Sequence, residues 1–203
     1  IVVENTQLFE TEKRRRIQAE LLQYASYDLV TSPNLDTALT AALAYLSKMI
    51  EFDRAHIGII DNDGTTWAPR ASFPTGKEAV PISVPFDSYP LIAQVVQEKR
   101  AVLVTDTHEN SQWKRGRYSQ TEVRSWMGVP LVTYDEAIGV ISVQSEDRRA
   151  YSEDHLRVLT AIADQAAIAL ENSRLYELAT IDGLTRLLVR RHFDIRLREE
   201  WSR

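Results

Sequence analysis

The chain has 203 residues, 44% of them apolar and 26% charged, which is ordinary for one globular domain with attachments. Its net charge of -5 argues against nucleic-acid binding, which needs a basic surface, and no apolar run is long enough to span a membrane. Cysteine is absent, which excludes disulfides, thiolate nucleophiles and cysteine-ligated metals and predicts a reducing, cytoplasmic location.

The N-terminal part of the chain predicts two helices. Residues 4–29 contain neither Gly nor Pro and are rich in helix formers, which predicts a long polar helix. For the second helix, Ser32 is the predicted N-cap and Pro33 takes the first helical position. Apolar residues then recur at helical spacing, as expected for a helix that packs on a core: Leu35, Leu39, Leu43, Leu46 and Ile50.

Strand patterns follow in the middle of the chain. Residues 54–61 and 66–73 flank Asn62-Asp63-Gly64, whose Asp-Gly pair favours a tight hairpin turn. The further predicted elements are an extended piece at 79–85, a helix at 89–99, a strand at 101–106, a polar loop at 108–122, and strands at 126–134 and 137–144 joined over Asp135-Glu136. Two hairpins with long surface helices predict an α+β fold, an antiparallel sheet of about six strands sandwiched by helices.

The last long helix has a well-specified start. Ser152 is the predicted N-cap, and the acidic residues after it complement the positive end of the helix. No Gly or Pro follows before Leu178, so the helix would run roughly 40 Å at about 1.5 Å per residue. Apolar residues on two faces predict that one face covers the sheet. The other face, with Ile162, Ala166 and Ala169, is predicted to contact its copy in a homodimer.

Three long strings carry a resemblance to a known family. They read RSWMGVPL at residues 124–131, AIGVISVQSE at 137–146 and AYSEDHLRVLTAIADQAAIALENSRLYE at 150–177. Together with FDRAHIGIIDNDG and AVLVTDTHENSQW earlier in the chain, they resemble a GAF domain over about residues 35–176. The resemblance implies a GAF/PAS-like sheet between helices, a sensory or dimerising role, and often a small-molecule pocket between the sheet and its loops.

A near repeat suggests a second domain of the same kind. ENTQLFE at residues 4–10 matches ENSRLYE at 171–177 with the same spacing, and the latter ends the GAF-like helix. The first string is therefore expected to end a preceding GAF domain that lies outside this excerpt. The predicted domains are a linker helix at 1–31, the GAF domain at 32–178, and a linker with the start of an output domain at 179–203.

The string DGLTRLLVRRHF at residues 182–193 resembles the opening of GGDEF domains, the diguanylate cyclase modules of bacterial cyclic di-GMP signalling. The retained motif positions include Asp182, Leu184, Thr185, Arg190 and Arg191. Arg186 replaces the usual Gly, and Val189 replaces an Asn that reads the guanine edge, a contact for which Val has no donor or acceptor. The chain stops before any catalytic loop, so no activity is expected of it, whereas a longer protein is a candidate diguanylate cyclase.

Several residues are predicted to face the region where related GAF domains bind ligands: Trp67, Asp106, His108, Trp113, Tyr118, Trp126 and Met127. The alternative, that the aromatic residues fill a core without ligand, stays open. A cyclic nucleotide or another small molecule is a candidate ligand, and the absence of Cys excludes a covalently attached bilin. The histidines are not grouped at ligand spacing, so no metal site and no catalytic residue are predicted.

Two functions remain open at this point. The first is a dimeric, cytoplasmic GAF sensor that controls a diguanylate-cyclase output through its last helix. The second is a ligand-free dimerisation scaffold with a degenerate output domain. A ligand that binds only the folded state must raise its stability, so ligand-dependent stabilisation separates the two.

Overall fold

The computed structural model describes residues 34–61, 63–75, 83–114 and 122–180, together with positions 19, 23, 24, 27, 185, 187, 189, 193, 197, 198 and 201. The helices are α1 (Leu35–Leu46), α2 (Pro90–Glu98) and α3 (Glu153–Thr180). The strands are β1 (Arg54–Ile60), β2 (Thr66–Phe73), β3 (Val84–Pro85), β4 (Val102–Val104), β5 (Ser125–Thr133) and β6 (Glu136–Ser145). Within these described stretches, no helix is both long and apolar enough to cross a membrane.

The six strands form one antiparallel sheet. Their order is β3-β2-β1-β6-β5-β4, and each neighbouring pair runs antiparallel. Helices α1 and α3 cover one face of the sheet, and α2 covers the other. The predicted α+β fold, with a six-stranded antiparallel sheet between helices, is confirmed.

The face under α1 and α3 carries the larger hydrophobic core. Side chains at alternate strand positions, such as Ile57, Met127 and Ile141, pack there against Leu39 of α1 and Leu159 of α3, and all five are fully buried. Burying one such aliphatic side chain contributes about 1.5 to 3 kcal/mol. This core therefore supplies most of the stability that holds the two long helices on the sheet.

The second apolar face of α3 is covered within the chain. Ile162 and Ala166 are fully buried and Ala169 is 4% exposed, all in the core that α3 shares with α1 and the sheet. The small side chains do admit a close second helix, but the helix beside α3 is α1 of the same chain. The prediction that these three residues contact a second copy is wrong.

Some element boundaries differ from those predicted. Asn34, not Ser32, is the N-cap of α1, and its side-chain oxygen accepts a hydrogen bond from the Thr37 backbone N–H at 3.1 Å. The turn between β5 and β6 lies one residue earlier than predicted, at Tyr134 and Asp135, whose φ angles are 47° and 64°. Such positive values are those of a tight hairpin whose twist matches that of its strands.

Parts of the N- and C-terminal predictions lie outside the described residues. These are most of the helix at residues 4–29, pocket candidate Tyr118, and output-motif positions Asp182, Leu184, Arg190 and Arg191. Positions 19, 23, 24 and 27 are helical, and the Tyr24 ring stacks on Tyr45 of α1 with centroids 6.5 Å apart. Thr185 is exposed.

The burial of α3 predicts a contrast between two neighbouring positions. Ala166→Glu would place an unpaired charge in the closed core and is expected to lower the free energy of unfolding by about 3 kcal/mol or more. Ile168 is 48% exposed in the single chain, so Ile168→Glu is expected to change the free energy of unfolding of the monomeric domain, measured in dilute solution, by less than about 0.5 kcal/mol. Urea unfolding of both variants measures the difference. Equal losses would show that the two faces of α3 are not distinguished as described.

Candidate ligand site on the α2 face of the sheet

Helix α2 packs on the second face of the sheet through a smaller, aromatic cluster. Leu91, Ile92 and Val95 of α2 are buried there against two tryptophans, Trp67 of β2 and Trp126 of β5. Pro90 at the start of α2 suits a first helical turn, where its missing N–H costs nothing. This face is less aliphatic than the α1 and α3 face, and aromatic rings form much of it.

Two glycines leave the space that the two indole rings occupy. A Cβ atom at Gly58 would overlap the Trp67 indole, including its Nε1 atom, and a Cβ at Gly128 would overlap the Trp126 indole. The Trp67 ring therefore lies directly over the backbone of Gly58, and the Trp126 ring lies directly over the backbone of Gly128. Glycine is required at both positions because any side chain would displace the ring.

The strand register adds polar side chains beside these rings. Ala55 and Ile57 of β1 face the α1 and α3 core, so His56 points to the α2 face. His56 lies opposite Ser142 of β6, which in turn lies opposite Gly128 of β5. His56 and Ser142 therefore form a polar pair across β1 and β6, with the bare backbone of Gly128 next to it on β5.

Two polar atoms on this face are buried and have no hydrogen-bond partner: Nδ1 of His56 and Nε1 of Trp67. Leaving such a group unpaired costs about 1 to 3 kcal/mol. Trp67 Nε1 lies over Gly58, two residues beyond His56 on β1, so both groups are on the α2 side of the sheet. Among the described residues, the other buried side-chain atoms without a partner are Tyr151 Oη and His155 Nδ1, at the start of α3.

His56 is neutral at physiological pH. Burial, together with the smaller effect of the nearby positive charge of Arg54, lowers the pKa of His56 from 6.5 to about 4. A neutral imidazole has one nitrogen that donates a hydrogen bond and one that accepts. His56 therefore presents hydrogen-bonding capacity without charge.

Asp106 closes the base of the loop that follows β4. Its carboxylate accepts hydrogen bonds from the Arg124 side chain, the shortest at 2.8 Å, and from the His108 backbone N–H at 3.1 Å. Hydrogen bonds from Arg124, and then from the His108 backbone, hold the pKa of Asp106 below its usual value. Thr107 ties the same ends together, since its hydroxyl donates to the Val123 carbonyl at 2.6 Å.

The loop residues beyond this base partly reach the aromatic cluster. Trp113 packs against Trp126 with ring centroids 6.4 Å apart, and the Lys114 amine donates to the Asp87 carbonyl at 2.9 Å. The His108 ring is instead exposed, with Nε2 2.8 Å from a Glu122 carboxylate oxygen. Of the predicted pocket residues in the described part of this loop, only Trp113 joins the indole cluster.

The predicted site residues therefore divide into separate groups. Trp67, Trp113 and Trp126 lie together, whereas Asp106 and His108 stabilise the loop base. Met127 was assigned to the pocket wrongly: it follows Trp126 in the strand, so it points to the opposite face and is fully buried under α3. Within the described ranges, no three His, Asp or Glu residues are grouped as metal ligands.

His56 is not among the residues that the sequence predicts for the site, because the histidines of the chain do not occur at metal-ligand spacing. The informative signal is the alternation in RAHIGII, where Ala55 and Ile57 are core residues and His56 and Gly58 share the other face. That alternation predicts that His56 and Gly58 lie on the face opposite the core, whereas the residue that lies across from His56, Ser142, follows only from the strand register.

The fold and this cluster can now be compared with known proteins. The family profile described as GAF domain matches residues 32–171. The chain belongs to the GAF domain family. GAF domains are sensory, regulatory domains of signalling proteins, are themselves non-catalytic, and can bind small ligands or bilins. Among curated protein sequences, none matches the chain significantly.

Solved structures, two of them described as GAF domains, share the architecture at low sequence identity. The GAF domain of a phosphoenolpyruvate-protein phosphotransferase from Acinetobacter aligns with a TM-score of 0.68 and 19% identity, over 78% of this chain and 95% of that chain. A free methionine-R-sulfoxide reductase from Neisseria meningitidis, in complex with its substrate, aligns with a TM-score of 0.67 and 18% identity, over 78% of this chain and 91% of that chain. The GAF domain of a two-component sensor histidine kinase from Bacillus halodurans aligns with a TM-score of 0.61 and 20% identity, over 70% of this chain and 97% of that chain. These identities establish a common fold alone.

The lowered pKa of His56 predicts a dependence of stability on pH. The unfolded state binds the proton near pH 6.5 and the folded state only near pH 4, so stability is complete above 6.5 and falls as the pH decreases to 4. The loss amounts to about 3 kcal/mol at about 1.4 kcal/mol per pKa unit. Chemical unfolding of the wild type and of His56→Leu at several pH values measures the part of this loss of unfolding free energy that is due to His56. Parallel curves for the two proteins would contradict a buried neutral histidine.

Proposed function

We propose that this GAF domain is a small-molecule sensor that regulates a diguanylate-cyclase-type output in a cytoplasmic signalling protein. The observation that carries the sensing role is the pair of buried, unpartnered polar atoms on the α2 face, His56 Nδ1 and Trp67 Nε1. Buried polar groups in proteins are nearly always hydrogen-bonded. A ligand that supplies the missing partners explains why the pair is present.

The alternative, a scaffold with a ligand-free core, accounts less well for this face. An aromatic core needs neither a histidine beside its indoles nor an indole nitrogen without an acceptor, since apolar side chains of similar size avoid both costs. Reduction of methionine sulfoxide, the activity named for one structural neighbour, is not proposed because this chain has no cysteine.

Helix α3 is the proposed connection between sensing and output. It lies on β5 in the core and continues to Thr180, two residues before the GGDEF-like string begins. The Thr180 carbonyl accepts a hydrogen bond from the Val189 backbone N–H at 2.8 Å, within that string. A shift of α3 on the sheet would therefore move the first residues of the output motif.

The proposed active form is a homodimer that forms through the exposed side of α3. Ile168, Leu175 and Leu178 are 48%, 47% and 70% exposed, and their spacing of seven and three residues places them on one side of the helix. These side chains replace the buried alanines as the proposed contact. Two output domains that share one condensation reaction would be brought together in such a dimer.

The sensing role predicts ligand-dependent stabilisation. Cyclic AMP, cyclic GMP and a library of uncharged metabolites are titrated against the purified domain in thermal unfolding, and at least one compound is expected to stabilise it. A ligand at 100 times its Kd adds about 2.7 kcal/mol, or several degrees in Tm. His56→Leu should lose this response while staying folded. In a longer chain with a complete output domain, the same ligand should change the rate of cyclic di-GMP formation from GTP.

A scaffold predicts the opposite pattern in that experiment. The unliganded protein would be unaffected by every compound, and native mass spectrometry would find no small molecule that co-purifies with it. His56→Leu would then be more stable than the wild type with no functional loss, because it removes an unpaired polar group. That combination would exclude the sensing role.

The dimer proposal predicts the effect of charge on the exposed side of α3. Ile168→Glu combined with Leu175→Glu should give a folded monomer, because glutamates opposite one another repel and do not pack. Multi-angle light scattering measures the mass, and circular dichroism confirms the fold. A wild-type chain that is monomeric at high concentration would refute dimerisation through α3.

A further inference from the structure

Arg149 has a backbone conformation that its surroundings impose on it. Among the residues that the structure describes, four non-glycine residues have positive φ angles: Lys99, Tyr134, Asp135 and Arg149. Lys99 is the C-cap of α2, and Tyr134 and Asp135 lie in the hairpin turn between β5 and β6, so local structure accounts for these three. Arg149, with a φ of 56°, lies instead in the turn of residues 146–150 between β6 and α3. Neither a helix end nor a two-residue hairpin requires the conformation there.

A backbone hydrogen bond to the neighbouring strand holds Arg149 in place. Its N–H donates to the carbonyl of Thr105, the residue after β4, at 2.8 Å. The preceding part of the turn is attached to β5 and β6, because the Asp147 carbonyl accepts from the Ser125 hydroxyl at 2.7 Å and the Asp147 N–H donates to the Ser145 hydroxyl at 3.1 Å. A residue with a side chain favours negative φ, so Arg149 would leave the left-handed region if its bond to Thr105 were lost.

Thr105 is the first residue of the base of the loop after β4. The next residue, Asp106, is buried and accepts hydrogen bonds from Arg124, and the Thr107 backbone N–H donates to the Arg124 carbonyl at 2.9 Å. The Arg148 side chain lies 3.9 Å from the Asp106 carboxylate, so the turn and the loop base meet at a second point. The position of the Thr105 carbonyl therefore depends on the arrangement of the loop base.

Helix α3 begins directly after this turn. Tyr151 is 3% exposed and packs in the core, and the Leu156 N–H donates to the Ser152 carbonyl at 3.0 Å in the first turn of the helix. Two residues separate Arg149 from Ser152. A change of the Arg149 φ angle would therefore change the direction in which the chain enters α3.

We propose that residues 146–150 form a latch that sets the start of α3. In the latched state the Thr105 carbonyl holds Arg149 in its strained left-handed conformation. In the released state that hydrogen bond is broken, the turn relaxes and the first turn of α3 shifts. A rearrangement of the loop base withdraws the Thr105 carbonyl and so acts on α3 from its N-terminal end. This inference rests on the proposed signalling role of α3 and specifies how that role is regulated.

Substitutions at Arg149 favour one or the other state of the latch. Glycine adopts positive φ without strain, so Arg149→Gly favours the latched state. Proline fixes φ near about −65° and has no N–H, so Arg149→Pro imitates the released state. Arg149→Ala keeps the strain without the side chain, and Asp135→Gly relieves the same strain at the other end of β6. Amide hydrogen exchange at Leu156, measured by nuclear magnetic resonance in the 203-residue chain, reports opening of the first turn of α3. Exchange at Ile141, in the centre of the sheet, corrects for changes in global stability.

The two states predict opposite effects of glycine and proline. Arg149→Gly is expected to slow exchange at Leu156 by about fivefold or more relative to Arg149→Ala, because the strain that drives release is gone. Arg149→Pro is expected to speed it by about tenfold or more, and Asp135→Gly to leave it within about twofold of the wild type. Equal exchange in the Gly and Ala variants would overturn the latch, as would equal slowing by Asp135→Gly. Acceleration by both Gly and Pro would also overturn it, because the turn would then be a structural element only.

A variant in the loop base tests the link to α3 without proline, in case Arg149→Pro does not fold. Thr107→Val removes the hydroxyl that donates to the Val123 carbonyl and lies outside the turn. It should speed exchange at Leu156 by about threefold or more in the wild-type background, and by less than half that factor in the Arg149→Gly background. Equal acceleration in both backgrounds, or none in either, would refute the latch. The sensing role would remain in place, since the ligand screen tests it separately.

Discussion

The arrangement of the α2 face depends on the absence of side chains at Gly58 and Gly128. Because each indole lies where a Cβ atom would be, the tryptophans rest directly on the sheet. Strand β1 pairs on both sides, with β2 and β6, so its backbone groups are engaged in the sheet and offer little to a ring above them. The close approach of the Trp67 ring to Gly58 therefore buries the ring and also leaves its N–H without an acceptor. The tight packing of this ring and its unused hydrogen-bond donor have the same cause.

The two faces of the sheet differ in composition but share their strands. Trp126 and Met127 are neighbours in β5, as Val140 and Ile141 are in β6, and in each pair one side chain faces α2 and the other faces α3. A ligand that moves Trp126 therefore acts on the strand that α3 packs against. Because cores are closely packed, a small displacement on one face is transmitted rather than absorbed. This shared strand makes α3 a suitable element to carry a signal out of the domain.

Most of the fold could be predicted because its signals are local. The alternation of apolar residues, the Asp-Gly turn and the capping residues each depend on a few neighbouring positions. The errors arose where a local pattern needs a distant partner. Ser32 and Asn34 are both good N-caps, and only the structure shows which one the Thr37 N–H uses. The alanines of α3 indicate a closely packed helix but do not show that this helix is α1. Met127 lies on the opposite face from Trp126 because neighbouring residues of β5 alternate between the two faces of the sheet. His56 escaped prediction for the same reason, since its place on the face that carries Trp67 follows from the strand register.

Buried groups without partners do not have a single meaning in this protein. Tyr151 and His155 also have buried polar atoms without a hydrogen-bond partner. They are, however, four residues apart at the start of one helix, and their ring centroids lie 6.4 Å from each other. Burial raises the pKa of Tyr151, so its hydroxyl stays protonated there. That pair follows from local sequence within the aliphatic core. His56 and Trp67 come from different strands and converge beside two indoles and two glycines, which a single element cannot arrange. This convergence of separate strands on one pair of unpaired groups is the reason why the α2 face, and not the start of α3, is the proposed ligand site.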